Sequence, residues 1–260
     1  RLEIMINRVL IRTRVLQVAY AHLHRGELKL TAAEQDLLLS LHRTYDLYLF
    51  LLQLIPSFTE FYREVLEIRK NKHLATKAER SPNLHLLENR LAAKLAASEK
   101  LNAWYEGFSL RWEEDEALLR HLLRRIEASD IYANYLKATE VGFEEDRAFW
   151  VDVFTQIITT DEMLAEWLEQ HSIYWQDDLR EVEKAEVEDR PATEDEALQA
   201  ALNEAREAGA YQSARLENGP VEVVKDFVEK TLRKSEEDTA IDDDIRPAFK
   251  DEDDERFARL

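Results

Sequence analysis

The chain has 260 residues, a formal net charge of −19 and no cysteine. That length can bury a sizeable core, while the missing thiols exclude a disulfide framework, a thiolate nucleophile and cysteine-ligated zinc, and fit a cytoplasmic protein. Only five glycines and five prolines interrupt a sequence rich in Leu, Ala, Glu and Arg, so composition predicts an all-α helical bundle.

No signal peptide is read at the start, and Met5 reads as the natural first residue. The stretch INRVLIRTRVLQVAYAHLHRGE, 6–27, predicts one helix with apolar cover over most of its circumference and Gly26 as its stop. Arg8 and Arg12, spaced i, i+4, project from the one strip left polar, and Arg14 points away from them. Spacing alone leaves two readings of that strip: solvent-facing or acid-paired arginines, or a phosphate-binding pair, because the planar guanidinium fork matches phosphate oxygens. His22 and His24, two apart, read as boundary residues.

Capping-box spacings at Thr31/Glu34 and Ser57/Glu60, with Pro56 between, predict helices over 32–55 and 58–70. The apolar run 47–58 is about a dozen residues, too short to span a bilayer, and predicts core. Ser81-Pro82 predicts a helix through NLHLLENRLAAKLAASEKLNAWYE. Further helices are expected at 113–127, 129–138, 144–158 and 161–171, the last opened by Thr159 with Glu162, and Trp150, Phe154 and Trp167 read as core. Residues 181–219 carry eleven acids against four bases and few large apolar residues, which predicts a solvated insertion with at most a loose helix at 194–208. A helix returns at 220–234 on the apolar positions Val223, Val224, Phe227, Val228 and Leu232, followed by an acidic linker and the start of a further helix at RFARL. The domain reading is a helical bundle over 5–180, the acidic insertion 181–219, and a returning segment 220–260. The stretches 112–126, 143–158 and 249–260 share an aromatic followed by acids, a pattern that fits either a repeat or ordinary helix-start chemistry.

Charge is segregated: residues 1–30 sum to +4 and residues 31–90 to zero, so the whole deficit lies beyond. The N-terminal third can face a polyanion while the rest repels it. The scattered glycines exclude the familiar nucleotide cradles and G-x-S-x-G, and no histidine pattern for zinc or a di-iron bundle occurs. The expectation is a noncatalytic protein with no cofactor and no metal.

MINRVLIRTRVLQVAYAHLHRGE, with Gln17 and Tyr20, resembles the opening helix of the bacterial transcription antitermination protein NusB. TYDLYLFLL (44–52), RKNKHL (69–74), NRLAAKL (89–95), SIYWQDDL (172–179) and FKDEDDERFARL (249–260), in that order, are similar to an enlarged NusB in which a long helical insertion follows the first helix. The resemblance implies a NusB-like first helix, a large insertion, and the C-terminal half of the usual domain absent. It implies an RNA-binding antitermination factor that joins a NusE-type small-subunit ribosomal protein and the RNA polymerase antitermination complex on boxA-type single-stranded RNA of ribosomal RNA transcripts. The basic first helix contributes to the family's RNA surface, so Arg8 and Arg12 carry that role by position, with Arg14 a further candidate. A helical protein–protein scaffold is the alternative. The accessory domain of an RNA cytosine methyltransferase ranks third, because such an enzyme needs catalytic cysteines and a glycine-rich loop.

Overall fold

The computed structural model describes residues 8–25, 30–138, 142–175 and 220–245. These residues are mostly helical, with no strand among them, so the chain is all-α as composition predicts. The acidic stretch 181–219, its expected helix 194–208 and the third aromatic–acid stretch 249–260 lie outside the described residues. In chain order the helices are α1 (Arg8–Arg25), α2 (Leu30–Lys70), α3 (Lys77–Arg80), α4 (Arg90–Ala96), α5 (Glu99–Gly107), α6 (Glu116–Glu127), α7 (Asp130–Lys137), α8 (Phe143–Val153), α9 (Glu162–His171), α10 (Pro220–Lys234) and α11 (Ile241–Asp244). Two compact units divide them: one takes residues up to Leu47 and Leu168–Val224, the other Tyr48–Trp167 and Lys225–Arg246.

Helix α2 departs from expectation. The sequence predicts a break at Pro56, yet one helix runs from Leu30 to Lys70 with the proline inside it. Every residue from Leu47 to Thr59 is buried, which fills more than three turns and therefore all sides of the helix. A proline in a helix interior costs about 3 kcal/mol, whereas each fully buried Leu, Ile or Phe contributes about 1.5–3 kcal/mol, so the apolar flanks Leu52, Ile55 and Phe58 hold the helix together. Ser57 consequently opens no helix: its hydroxyl donates to Glu113 Oε1 at 2.6 Å.

In the second unit α6 runs beside α2 in the same direction. The Phe50 ring stacks on Trp112 at 4.0 Å, the Arg120 guanidinium lies 5.7 Å from the Phe61 ring, and the Arg69 guanidinium grips both oxygens of Glu127. The Trp112 indole N–H donates to the Phe50 carbonyl at 2.8 Å, which satisfies a polar group in the middle of the core. Trp150 and Phe154 are fully buried, as their spacing predicts, and Trp167 donates its indole N–H to Asp115 Oδ2 at 2.7 Å.

Local polar chemistry sets the other boundaries. The single helix expected over 83–106 is two, because Asn89 and Ser98 each cap a new start: Asn89 Oδ1 accepts from Ala92 N–H at 2.9 Å and Ser98 Oγ from Leu101 N–H at 3.0 Å. Asn83 spends its side chain on His85 N–H and the Leu136 carbonyl instead of on a helix. Helix α8 ends in a π turn at Phe154–Ile158. The next helix is capped by Asp161, not by Thr159, through Leu164 N–H at 2.8 Å. The two aromatic–acid stretches also differ in form: Trp112 opens a 3-10 turn ahead of α6, while Phe143 is the first residue of α8.

An acidic strap follows α10. Ser235, Thr239, the Glu236 carbonyl and Asp244 surround the Lys94 ammonium, Glu237 pairs with Arg90 at 2.9 Å, and Asp242 meets Ser98. Buried Ile241 and Ile245 pin the strap to the core, so its acids neutralise cations of α4 while its isoleucines supply apolar burial.

Asp161 joins α6 to α9, accepting from Arg125 and His121 of the first and from Leu164 N–H of the second. Burial alone would raise its carboxyl, but these donors outweigh burial and hold it below the ordinary aspartate value. A carboxylate lowered in the folded state stabilises above its unfolded pKa, and the gain is lost as pH falls through the folded one. Asp161→Asn should therefore destabilise the protein by about 2 kcal/mol at pH 7 in urea unfolding, and the gap to the parent should narrow below about pH 4.

Candidate nucleic-acid interface

The candidate interface rests on α1, an 18-residue helix that contains four arginines and no acid. No acidic residue occupies its first turn to offset the positive end of the helix dipole. Arg8 and Arg12 lie one turn apart in it, so their Cβ atoms share a side of the helix. The directions of those two side chains lie outside the described residues.

Arg14 takes a different place from the one expected of it. Its side chain is buried at 3% exposure, and its guanidinium donates to Gln17 Oε1 at 3.0 Å, to Thr44 Oγ1 at 3.1 Å and to the Tyr174 carbonyl. These bonds tie α1 to α2 and to the 3-10 turn Ile173–Trp175. Thr44 relays the tie, since its hydroxyl donates onward to the Ser40 carbonyl at 2.9 Å. An arginine that is buried and has both terminal nitrogens bonded inside the fold cannot also grip a phosphate, so Arg14 leaves the set of RNA contacts and becomes the polar anchor of the first helix. Two more bonds hold the same unit: His22 Nε2 donates to Asp36 Oδ2 at 2.9 Å, and the Trp175 indole N–H donates to the Arg43 carbonyl at 2.8 Å. His22 is thus buried and engaged, not a boundary residue.

The second unit holds three polar clusters that sequence reasoning missed. Asp146, on α8, is buried and accepts from Tyr135 and from Arg90 N–H, while Asn89 donates to Tyr135 Oη and to the Asp146 carbonyl. Glu113 accepts from Ser57 and Tyr105. The third cluster is Asp161 with His121 and Arg125. Burial, with Glu113 beside it, pushes the Tyr105 phenol up to about 12, and burial together with Asp146 raises Tyr135. Both phenols therefore stay protonated near neutrality and act as hydrogen-bond donors. Beside the His121–Asp161 pair, the Thr160 hydroxyl donates to the Gln156 carbonyl at 2.9 Å, so it is engaged with its own helix. These clusters lock short helices to one another. No signal in one sequence separates Asn89 or Asp146 from the many surface Asn and Asp of an acidic chain.

Among the described residues, no cluster of three or more His, Asp or Glu side chains is placed to hold a metal ion, and no helix is long and apolar enough to cross a membrane. The run 47–58 is core. Compared with protein families, curated proteins and solved structures, the chain gives no significant match.

Replacing Arg14 by Met removes three hydrogen bonds, the one to Thr44 fully buried, and leaves Thr44 and the Tyr174 carbonyl short of a donor. Thermal or urea unfolding should register a loss of about 2–4 kcal/mol, the range for breaking a buried, hydrogen-bonded charge.

Proposed function

We propose that this chain is a noncatalytic, cytoplasmic RNA-binding factor of the NusB type. In this reading it acts in transcription antitermination with a NusE-type ribosomal protein, on boxA-type RNA of ribosomal RNA transcripts, within the RNA polymerase antitermination complex. The observation that carries the reading is α1: an acid-free helix bearing Arg8 and Arg12 one turn apart, in a chain of net charge −19. The ordered NusB-like motifs support it, as does the all-α fold. The commitment of Arg14 to the interior narrows the RNA contacts to Arg8 and Arg12, with guanidiniums on phosphates and base recognition left to other groups.

A helical scaffold is the second reading, favoured by exposed leucines on the first unit's part of α2. Leu30, Leu38 and Leu39 are 68%, 45% and 42% exposed, and such side chains suit a protein partner better than a polyanion.

The two readings separate on salt. A labelled boxA-type RNA should bind the chain together with the NusE-type partner, and Arg8→Ala/Arg12→Ala should flatten the salt slope by about 1.4, two phosphate contacts at about 0.7 each. Circular dichroism should show unchanged helicity. Equal affinity and slope in the double variant would assign the strip to structure and favour the scaffold.

A further inference from the structure

The second unit carries a basic surface that the proposed function does not use. From Ile68 to Ala78 the chain reads IRKNKHLATKA, four cations without an acid, in a molecule of net charge −19. This stretch leaves the C-terminal end of α2, where cations also complement the helix dipole. The Arg69–Glu127 pair sets the end of α6 beside it, which adds the exposed Arg124 to the same end of the unit.

The stretch is closed by its own hydrogen bonds. Asn71 N–H donates to the Glu67 carbonyl and Ala75 N–H to the Lys72 carbonyl, both at 3.1 Å. Ala75 is buried beneath the turn. Thr76 and Glu79 then form a reciprocal capping box. The acids nearby are engaged: Glu127 faces Arg69, exposed Glu67 lies 3.7 Å from the Lys70 ammonium, and Glu79 is held down to about 2 by Thr76 N–H and Lys72. The cations stay accessible, with the Lys70 and Lys72 side chains 51% and 54% exposed. Lys77, Arg80 and Arg124 form no ion pair among the described residues.

We propose that this turn is a second RNA-backbone surface, with Lys70, Lys72, Lys77, Arg80 and Arg124 meeting phosphates. The inference rests on the RNA-binding reading above and extends it from α1 to the second unit. A fixed turn that presents cations suits a polyanion, because each neutralised phosphate releases counterions. It suits an acidic protein less well. Ile68 and Leu74, 59% and 85% exposed, are the large apolar side chains the turn offers, far short of the roughly 800 Å² that each partner of a stable protein interface buries. Lysines read charge and not sequence, so this surface adds affinity without base preference.

The test uses the full chain with the NusE-type partner present throughout, a labelled single-stranded boxA-type RNA and anisotropy titrations over a salt series. Four proteins are compared: the parent, Arg8→Ala/Arg12→Ala, Lys70→Ala/Lys77→Ala/Arg80→Ala, and a control with Arg43→Ala/Lys230→Ala/Arg233→Ala, which removes the same charge from other exposed positions. None of the three turn side chains bonds another element, and circular dichroism melts check the fold. The turn variant should bind at least about fivefold more weakly at low salt, with a slope shallower by about 2, three contacts at about 0.7 each. The control should stay near the parent. Unchanged binding by the turn variant, or an equal drop in the control, overturns the inference. If the parent binds no RNA, the antitermination reading falls with it. If the parent binds and only the α1 variant is impaired, that reading stands and the second surface fails alone. Impairment of the turn variant alone supports the second surface and removes Arg8 and Arg12 as the principal contacts.

Discussion

A helix buried on every side can satisfy its backbone internally, but it needs apolar cover around its whole circumference. Helix α2 is such a helix from Leu47 to Thr59, and the elements around it in the second unit answer that demand. Phe50 lies against Trp112, Trp167, Tyr105 and Phe108, and Phe58 meets the edge of Trp150 at 5.8 Å. The same burial lets Pro56 sit in the helix interior. Its missing N–H removes one bond, while its neighbours lose large apolar areas if the helix breaks there.

Most of the surrounding helices are short, four to twelve residues from α3 to α9, and helices of that length are marginal alone. Each is held by a side-chain cap at its start or by a polar tie to a neighbour. Asn89 and Asp146 lock α4 to α8, Asp161 joins α9 to α6, and Lys94 collects the strap after α10. This arrangement consumes cations. Arg14, Arg69, Lys94, Arg125 and Arg147 all serve internal bonds. In a chain with 35 Lys and Arg against 54 Asp and Glu, cations held in internal bonds sharpen the contrast of the few basic stretches that stay accessible.

Elements whose boundary and periodicity agree were legible in the sequence. Helices α1, α6, α7, α9 and α10 lie within a few residues of their expected spans, and Val223, Val224, Phe227, Val228 and Leu232 of α10 are all buried. Failures occurred where a local signal competed with packing. Pro56 and Ser57 look like a helix junction, and burial of both flanks overrode them. Ser81-Pro82 looks like a helix start, but Asn83 and Asn89 took the backbone groups for turns and a later cap. Thr159 and Glu162 match a capping box, yet Asp161 stood closer to the first turn and had Arg125 and His121 to fix it. At the candidate interface, the shared side of Arg8 and Arg12 follows from spacing alone. The burial of Arg14 does not, because its partners are 30 and 160 residues away.

The charge of the whole molecule and the charge of its basic stretches act at different ranges. At physiological salt a field decays over about 8 Å, so a phosphate against α1 is governed by that helix's four arginines and absent acids more than by acids several screening lengths off. The long-range effect of −19 is instead a penalty on approach, since a polyanion meets repulsion before it reaches an attractive stretch. Under the proposed function, such a balance favours RNA delivered by a partner over RNA captured from solution. Binding that depends on local arginines and lysines within an acidic surround is also strongly salt-dependent and blind to sequence, so in the proposed function any preference for one RNA element comes from base contacts or from the partner.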